Sequence, residues 1–86
     1  MHIKFHDLEI EQRNGLFELN YTIDGVSDSL SGGASLEDSM NTWLSDVDLS
    51  SKLRHQLEEV QDECSDLGWD EEKIAIEFAS DDYSIT

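Results

Sequence analysis

The chain has 86 residues, with 21 Asp and Glu against 5 Lys and Arg, for a formal net charge of −16 at pH 7. That length predicts a single domain over residues 1–86, with a core too modest to coexist with a large substrate cleft; the hydrophobic fraction of 37% is that of a globular chain, not a disordered one. The charge opposes direct binding to nucleic acid, where backbone phosphates dominate affinity, and to an anionic membrane, and no stretch approaches the ~20 apolar residues of a membrane span.

A magnitude of ~2–8 is usual for a small soluble domain, so solubility alone does not require this charge, and self-repulsion on this scale costs stability. Cys64 is the one cysteine, which excludes an internal disulfide and fits a reducing compartment. The opening Met1-His2-Ile3-Lys4-Phe5-His6 has no apolar run of signal-peptide length. The expected location is the cytoplasm, that of the host if the chain is phage-encoded.

In chain order, the first element reads as a β-hairpin. Asn14-Gly15 is the strongest short turn signal, because both positions of a type I′ turn take positive φ. Phe17, Leu19, Tyr21 and Ile23 then alternate with Glu18, Asn20, Thr22 and Asp24, as in a strand with one buried face. A two-residue turn sets Arg13 opposite Leu16, Ile10 opposite Leu19, Leu8 opposite Tyr21 and His6 opposite Ile23. The other face carries Asp7, Glu9, Glu11, Glu18 and Asp24, with Glu11 directly opposite Glu18. Ile3 and Phe5 fall out of phase with Leu8 and Ile10, which calls for a bulge or bend at His6-Asp7.

Residues 25–34, with Ser27, Ser29, Ser31 and Gly32-Gly33, read as a loop. Ser35 predicts a helix N-cap, with Asp38 in a capping-box position and Leu36, Met40, Trp43, Leu44 and Val47 at helical spacing. A second helix runs from about Asp48 or Ser50 to Leu67 on a stripe of Leu49, Leu53, Leu57, Val60, Cys64 and Leu67, closed by Gly68. Ile74, Ile76 and Phe78 alternate with Ala75, Glu77 and Ala79, which predicts a strand, followed by a turn at Ser80-Asp81-Asp82 and a short strand at Tyr83 and Ile85. The expected fold class is α+β in the order β-β-α-α-β(-β): a small antiparallel sheet with two helices packed on one face.

The sharpest chemical feature is acidic. Glu58, Glu59, Asp62, Glu63 and Asp66 fill the polar positions of the second helix, and Asp70, Glu71 and Glu72 continue the run. Glu58 with Asp62, Glu59 with Glu63, and Asp62 with Asp66 are like-charge i,i+4 pairs, each destabilising by ~0.2–0.5 kcal/mol. They crowd the C-terminal half, where the helix dipole disfavours anions. Such carboxylates advance ~6 Å along the axis, and alternate carboxylates on a sheet face advance ~6.8 Å; both spacings suit a row of phosphates.

Other chemistries find little support. Asp46-Val47-Asp48 starts like a calcium loop but lacks the later Gly and Glu. His2, His6 and His55 read as structural or solvated, and Cys64 lies on the apolar stripe, on the other side of the helix from His55. Glu11 and Glu18 lack a pocket that would split their pKa values for acid–base work. Ser31-Gly32-Gly33 lacks the phosphate-loop motif. Trp43 reads as core, and Trp69 either as the contact of the helix cap or, if exposed, as an interface anchor. No catalytic residue, metal site or cofactor is expected.

A short chain with acidic arrays at Glu58 to Glu72 and at Asp7 to Glu18 resembles the DNA-mimic inhibitors of phages and mobile elements: anti-restriction proteins, anti-CRISPR proteins and uracil-DNA glycosylase inhibitors. The resemblance covers size, charge and carboxylate arrays, without a shared motif or fold. It implies a non-enzymatic inhibitor, monomeric or homodimeric, that occupies the basic channel of a nucleic-acid-binding protein and excludes DNA or RNA. The partner-binding residues would be Glu58, Glu59, Asp62, Glu63, Asp66, Asp70, Glu71 and Glu72, then Asp7, Glu9, Glu11 and Glu18. An acidic adaptor or antitoxin-like module that masks a basic partner without imitating DNA is the alternative, and adaptation to a high-salt cytoplasm is a third.

Overall fold

The computed structural model describes residues 2–78. Four strands are followed by three helices: β1 (His2–Phe5), β2 (Leu8–Arg13), β3 (Leu16–Ile23), β4 (Val26–Ser31), α1 (Leu36–Leu44), α2 (Ser51–Asp66) and α3 (Glu71–Phe78). The strands form an antiparallel meander in the order β1-β2-β3-β4. The chain is therefore α+β, but the expected order β-β-α-α-β is wrong in three places.

The first correction lies at His6-Asp7. The phase change there is a full reversal, pairing Phe5 with Leu8 and Ile3 with Ile10. It is not a bulge, and His6 is a turn residue rather than the partner of Ile23. His6 takes a φ of 51°, and its ring meets Phe5 edge-on with centroids 4.3 Å apart. Gln56 of α2 pins the turn: its side-chain oxygen accepts from Asp7 N–H at 3.2 Å, and its amide donates to Asp7 Oδ2 at 3.1 Å.

The second correction concerns residues 25–34. Asp24-Gly25 takes the same pair of positive φ values as Asn14-Gly15, and the chain returns as β4, with Val26 opposite Ile23 and Leu30 opposite Leu19. Gly32 N–H then donates to Phe17 O and Phe17 N–H to Gly33 O, so two residues oppose one as the strand ends.

The third correction is the C-terminal strand. Residues 71–78 are helical, so Ile74 and Phe78 point to one side at i,i+4 and are buried, while Ile76 is 75% exposed. Asp70 caps this helix, its Oδ1 accepting from the Glu72 and Lys73 N–H groups at 3.0 and 3.2 Å. The expected turn at Ser80-Asp81-Asp82 and the strand at Tyr83 and Ile85 lie outside the described residues.

Other expectations hold. The β2–β3 register is as read, with Leu8 opposite Tyr21, Ile10 opposite Leu19 and Glu11 opposite Glu18. Ser35 caps α1 through Asp38 N–H, and Ser50 caps α2 through Leu53 N–H. Gly68 N–H donates to Ser65 O and Trp69 N–H to Cys64 O, both at 2.9 Å, the paired bonds of a Schellman C-cap. Arg54 reaches back from α2 to donate to Leu44 O and Asp46 O, both at 2.6 Å. That closes the exposed end of α1, which has no basic residue in its own last turn.

One apolar cluster joins the two layers. Ile3, Phe5, Leu8, Ile10, Phe17, Leu19 and Ile23 line one sheet face, against Leu36, Met40, Trp43, Leu53, Leu57, Val60, Cys64, Ile74 and Phe78 from the helices. The opposite sheet face is polar and open. No helix among the described residues is long and apolar enough to cross a membrane.

Candidate functional site

The buried stripe of α2 is Leu53, Leu57, Val60 and Cys64. At ~100° per residue, Asp62 and Asp66 stand nearly opposite it, with Glu58 and Glu59 to either side. All four are exposed, and Glu63 is half-buried at the margin. The helix layer covers the inner sheet face, so this row forms the outermost surface on that side of the molecule. The last turn of α2 has no basic residue. Lys4 pairs with Glu9, Arg13 with Glu11 and Lys52 with Asp24, and Arg54 is spent on carbonyl oxygens. Among the described residues, Glu58, Asp62, Glu63 and Asp66 make no ion pair with Lys, Arg or His. Glu59 has His55 at 3.6 Å, one turn earlier.

Glu63 has a further neighbour. Its carboxyl is held above the usual carboxylate range by burial first, then by the charges of Glu77 and Asp66 and a side-chain hydrogen bond shared with Glu77. A carboxyl pair hydrogen-bonds only when one member keeps its proton. Because the folded pKa is raised, the ionised pair opposes the fold at neutral pH, and that opposition fades as pH falls through the raised pKa. Glu63→Gln is accordingly expected to be more stable than wild type at about pH 7 and to lose its advantage towards about pH 4. Denaturant titrations of both proteins across that range check this; a constant gap would count against it. The same desolvation, with the Glu63 charge second, pushes the Cys64 thiol up to about 12, which leaves it protonated and inert.

The remaining expected site residues divide. Asp70 is occupied as the α3 cap, and Glu71 and Glu72 stand in the first turn of that helix, where the dipole favours anions. Their presence has a local structural cause that the α2 acids lack. Asp7 is committed to Gln56. Glu9, Glu11 and Glu18 do share the outer sheet face, but not as a bare acidic array. His2 Nε2 lies 2.8 Å from Glu9 Oε2 and 3.9 Å from Glu11 Oε1. Lys4 is 3.8 Å from Glu9, and Arg13 donates to Glu11 at 3.0 Å. That face and the α2 row lie on opposite outer surfaces of the two layers, so the structure does not bring the two arrays together.

One arrangement escaped the sequence reading. The β1–β2 pairing sets His2 opposite Glu11 and beside Glu9, so one imidazole and two carboxylates offer donor atoms within 4.8 Å of one another. This is the one cluster of metal-ligand type among the described residues. Its atoms are already engaged in the ion pairs above, and it sits on open sheet. The turn at His6-Asp7 was the missing signal, since a continuous strand places His2 elsewhere.

No protein-family model matches the chain, and no curated protein or solved structure is detectably similar to it.

Proposed function

We propose that this protein is a non-catalytic inhibitor whose α2 carboxylates occupy the basic nucleic-acid-binding surface of a partner protein in place of DNA or RNA. The observation that carries the reading is the exposed row Glu58, Asp62 and Asp66, flanked by Glu59. Among the described residues it forms no ion pair with Lys or Arg, since Arg54, one turn before Glu58, is spent on carbonyl oxygens, and Asp62 and Asp66 stand on the helix half where the dipole opposes them. Charges placed against the stability of their own helix are best accounted for by a partner that supplies the missing cations. Long-range attraction would speed the encounter, with strong dependence on salt.

A second reading is favoured by the separation of the two acidic surfaces. A single helical row suits an acidic adaptor or antitoxin-like module that masks a basic protein without tracing the path of a duplex. Immobilised protein exposed to a bacterial lysate at low salt and eluted with a salt gradient tests both. Recovery of a nuclease, restriction or repair protein that free duplex or single-stranded DNA displaces supports mimicry. Recovery of a basic partner that DNA leaves bound supports masking. Recovery of metabolic proteins alone, or of nothing, overturns both.

A further inference from the structure

The β4 edge of the sheet holds a second surface that shares no residue with the α2 row. In β3, Thr22 N–H is spent toward β2, on Asp7 O, whereas Phe17 bonds toward the β4 side, with Gly32 and Gly33. Antiparallel pairing alternates, so Val26, Asp28 and Leu30 turn their main-chain groups to β3, and Ser27 and Ser29 turn theirs outward. Among the described residues no helix lies along this edge; α1 reaches only its end, where the Trp43 indole donates to Ser31 O at 3.2 Å. An outward main chain of this kind is a template for another strand.

Two features specify what would pair there. Beneath β4 runs a groove of about 460 Å³ with an apolar floor that includes Ile23, Leu30 and Leu49. Asp24, Asp28, Asp46 and Asp48 line the same groove, and Lys52, 3.7 Å from Asp24, is the one cation paired with any of them among the described residues. The Tyr21 hydroxyl is held above its ordinary range by burial and then by Asp28 and Asp46, consistent with both carboxylates closing on it. Val26, at the start of the edge, is 62% exposed, and Val47, between two of the aspartates, is 90% exposed. The second feature is a plug: the outward Ser29 N–H donates to the Asp28 carboxylate at 2.8 Å. The central donor of the edge is therefore closed by the strand's own acid.

We propose that β4 is a docking edge for an extended basic segment of a partner protein, with a Lys or Arg flanked two residues to either side by apolar residues on the same face, which adds as a fifth strand. The incoming cation takes the Asp28 carboxylate, and the incoming carbonyl takes the Ser29 N–H that this releases. The apolar side chains lie over Val26 and Leu30. The exchange selects its ligand: a neutral or acidic strand, including β4 of a second copy, offers nothing to Asp28 and leaves the plug in place.

The wild-type chain decides this by amide NMR with three synthetic peptides: a Lys/Val peptide repeating Val-Thr-Lys-Thr, which sets Val and Lys in turn along one face, a Glu/Val peptide with Glu in place of each Lys, and a Lys/Gly peptide of the same charge as the first but a poor strand former. The Lys/Val peptide is expected to slow hydrogen exchange at Ser27 and Ser29 N–H, while Lys/Gly slows neither and Glu/Val does not bind. Asp28→Asn is expected to weaken Lys/Val binding about tenfold, the worth of one charge-assisted hydrogen bond. Equal effects of Lys/Val and Lys/Gly, or shifts confined to α2, would overturn the docking edge while leaving the α2 reading standing. Protection by Glu/Val equal to that by Lys/Val would overturn the selection by Asp28.

Discussion

Trp43→Ala is expected to cost about 3–5 kcal/mol, the range for removing a buried tryptophan, and to leave the domain close to unfolding. Small domains hold only about 5–10 kcal/mol in all, and this one also bears the self-repulsion of a net charge of −16. Trp43 is 2% exposed. It joins helix to sheet twice, by its ring against Gly32 and by its indole N–H on Ser31 O. A Cβ at Gly32 would lie 2.9 Å from the ring and 2.5 Å from Ser39 Oγ. Ser39 in turn accepts from Gly33 N–H at 2.8 Å and donates to Ser35 O at 2.7 Å, so the ring closes a packed and hydrogen-bonded corner. Urea denaturation followed by circular dichroism should show the midpoint falling by about 2 M or more, with slopes of ~1–2 kcal/mol/M. Trp43→Phe keeps most of the apolar contact and loses the donor, so about 1–2 kcal/mol is expected. A loss under about 1 kcal/mol for the alanine variant would show that α1 does not anchor the sheet.

The second large effect should run in opposite directions for stability and for binding. Replacing Glu58, Glu59 and Glu63 with Gln, and Asp62 and Asp66 with Asn, removes three like-charge i,i+4 pairs and the anions at the unfavourable helix end. It also takes the net charge from −16 to −11, since five of the 21 acidic side chains become neutral. About 1 kcal/mol of added stability is expected, or about 4–8 °C in Tm. Retention of the basic partner at low salt should be lost in the same variant. Scanning calorimetry and the lysate capture measure the two halves separately. A variant no more stable than wild type would remove the argument that these acids are held against the fold. One that still captures the same partner would move the binding surface elsewhere.

The fold was legible wherever one face of an element is buried. Phe17, Leu19 and Ile23 alternate because their strand has a dry side, and Leu53, Leu57, Val60 and Cys64 repeat because α2 has one. β4 has almost none: Leu30 is half-buried and the rest is exposed. No apolar alternation marked it, and its serines resembled a loop. Asp24-Gly25 carried the same turn chemistry as Asn14-Gly15 and outweighed that composition. At the C-terminus, Ile74-Ala75-Ile76-Glu77-Phe78 satisfies both periods, and only the exposure of Ile76 separates helix from strand. Asp70 followed by Glu71 and Glu72 was a helix-start signal, hidden by treating every acid there as part of one surface. The α2 row was readable because helical spacing alone defines it. The pairing of Glu9 and Glu11 with His2 and Lys4 was not, because those two countercharges arrive from β1 through a turn without glycine.

The two-residue reversals of the sheet also bear on how the chain reaches its fold. Each strand pairs with the one just before it, so every sheet contact closes a short loop, and hairpins of this kind form in ~1–10 μs. The whole sheet lies N-terminal to the helices, so during synthesis it can assemble while α2 is still being made. The apolar sheet face is then already in place when the acidic helix docks, and burial of Leu57 and Val60 is set against the mutual repulsion of their neighbours. In such an order the chain's most self-repelling segment settles after the sheet, on a preformed platform.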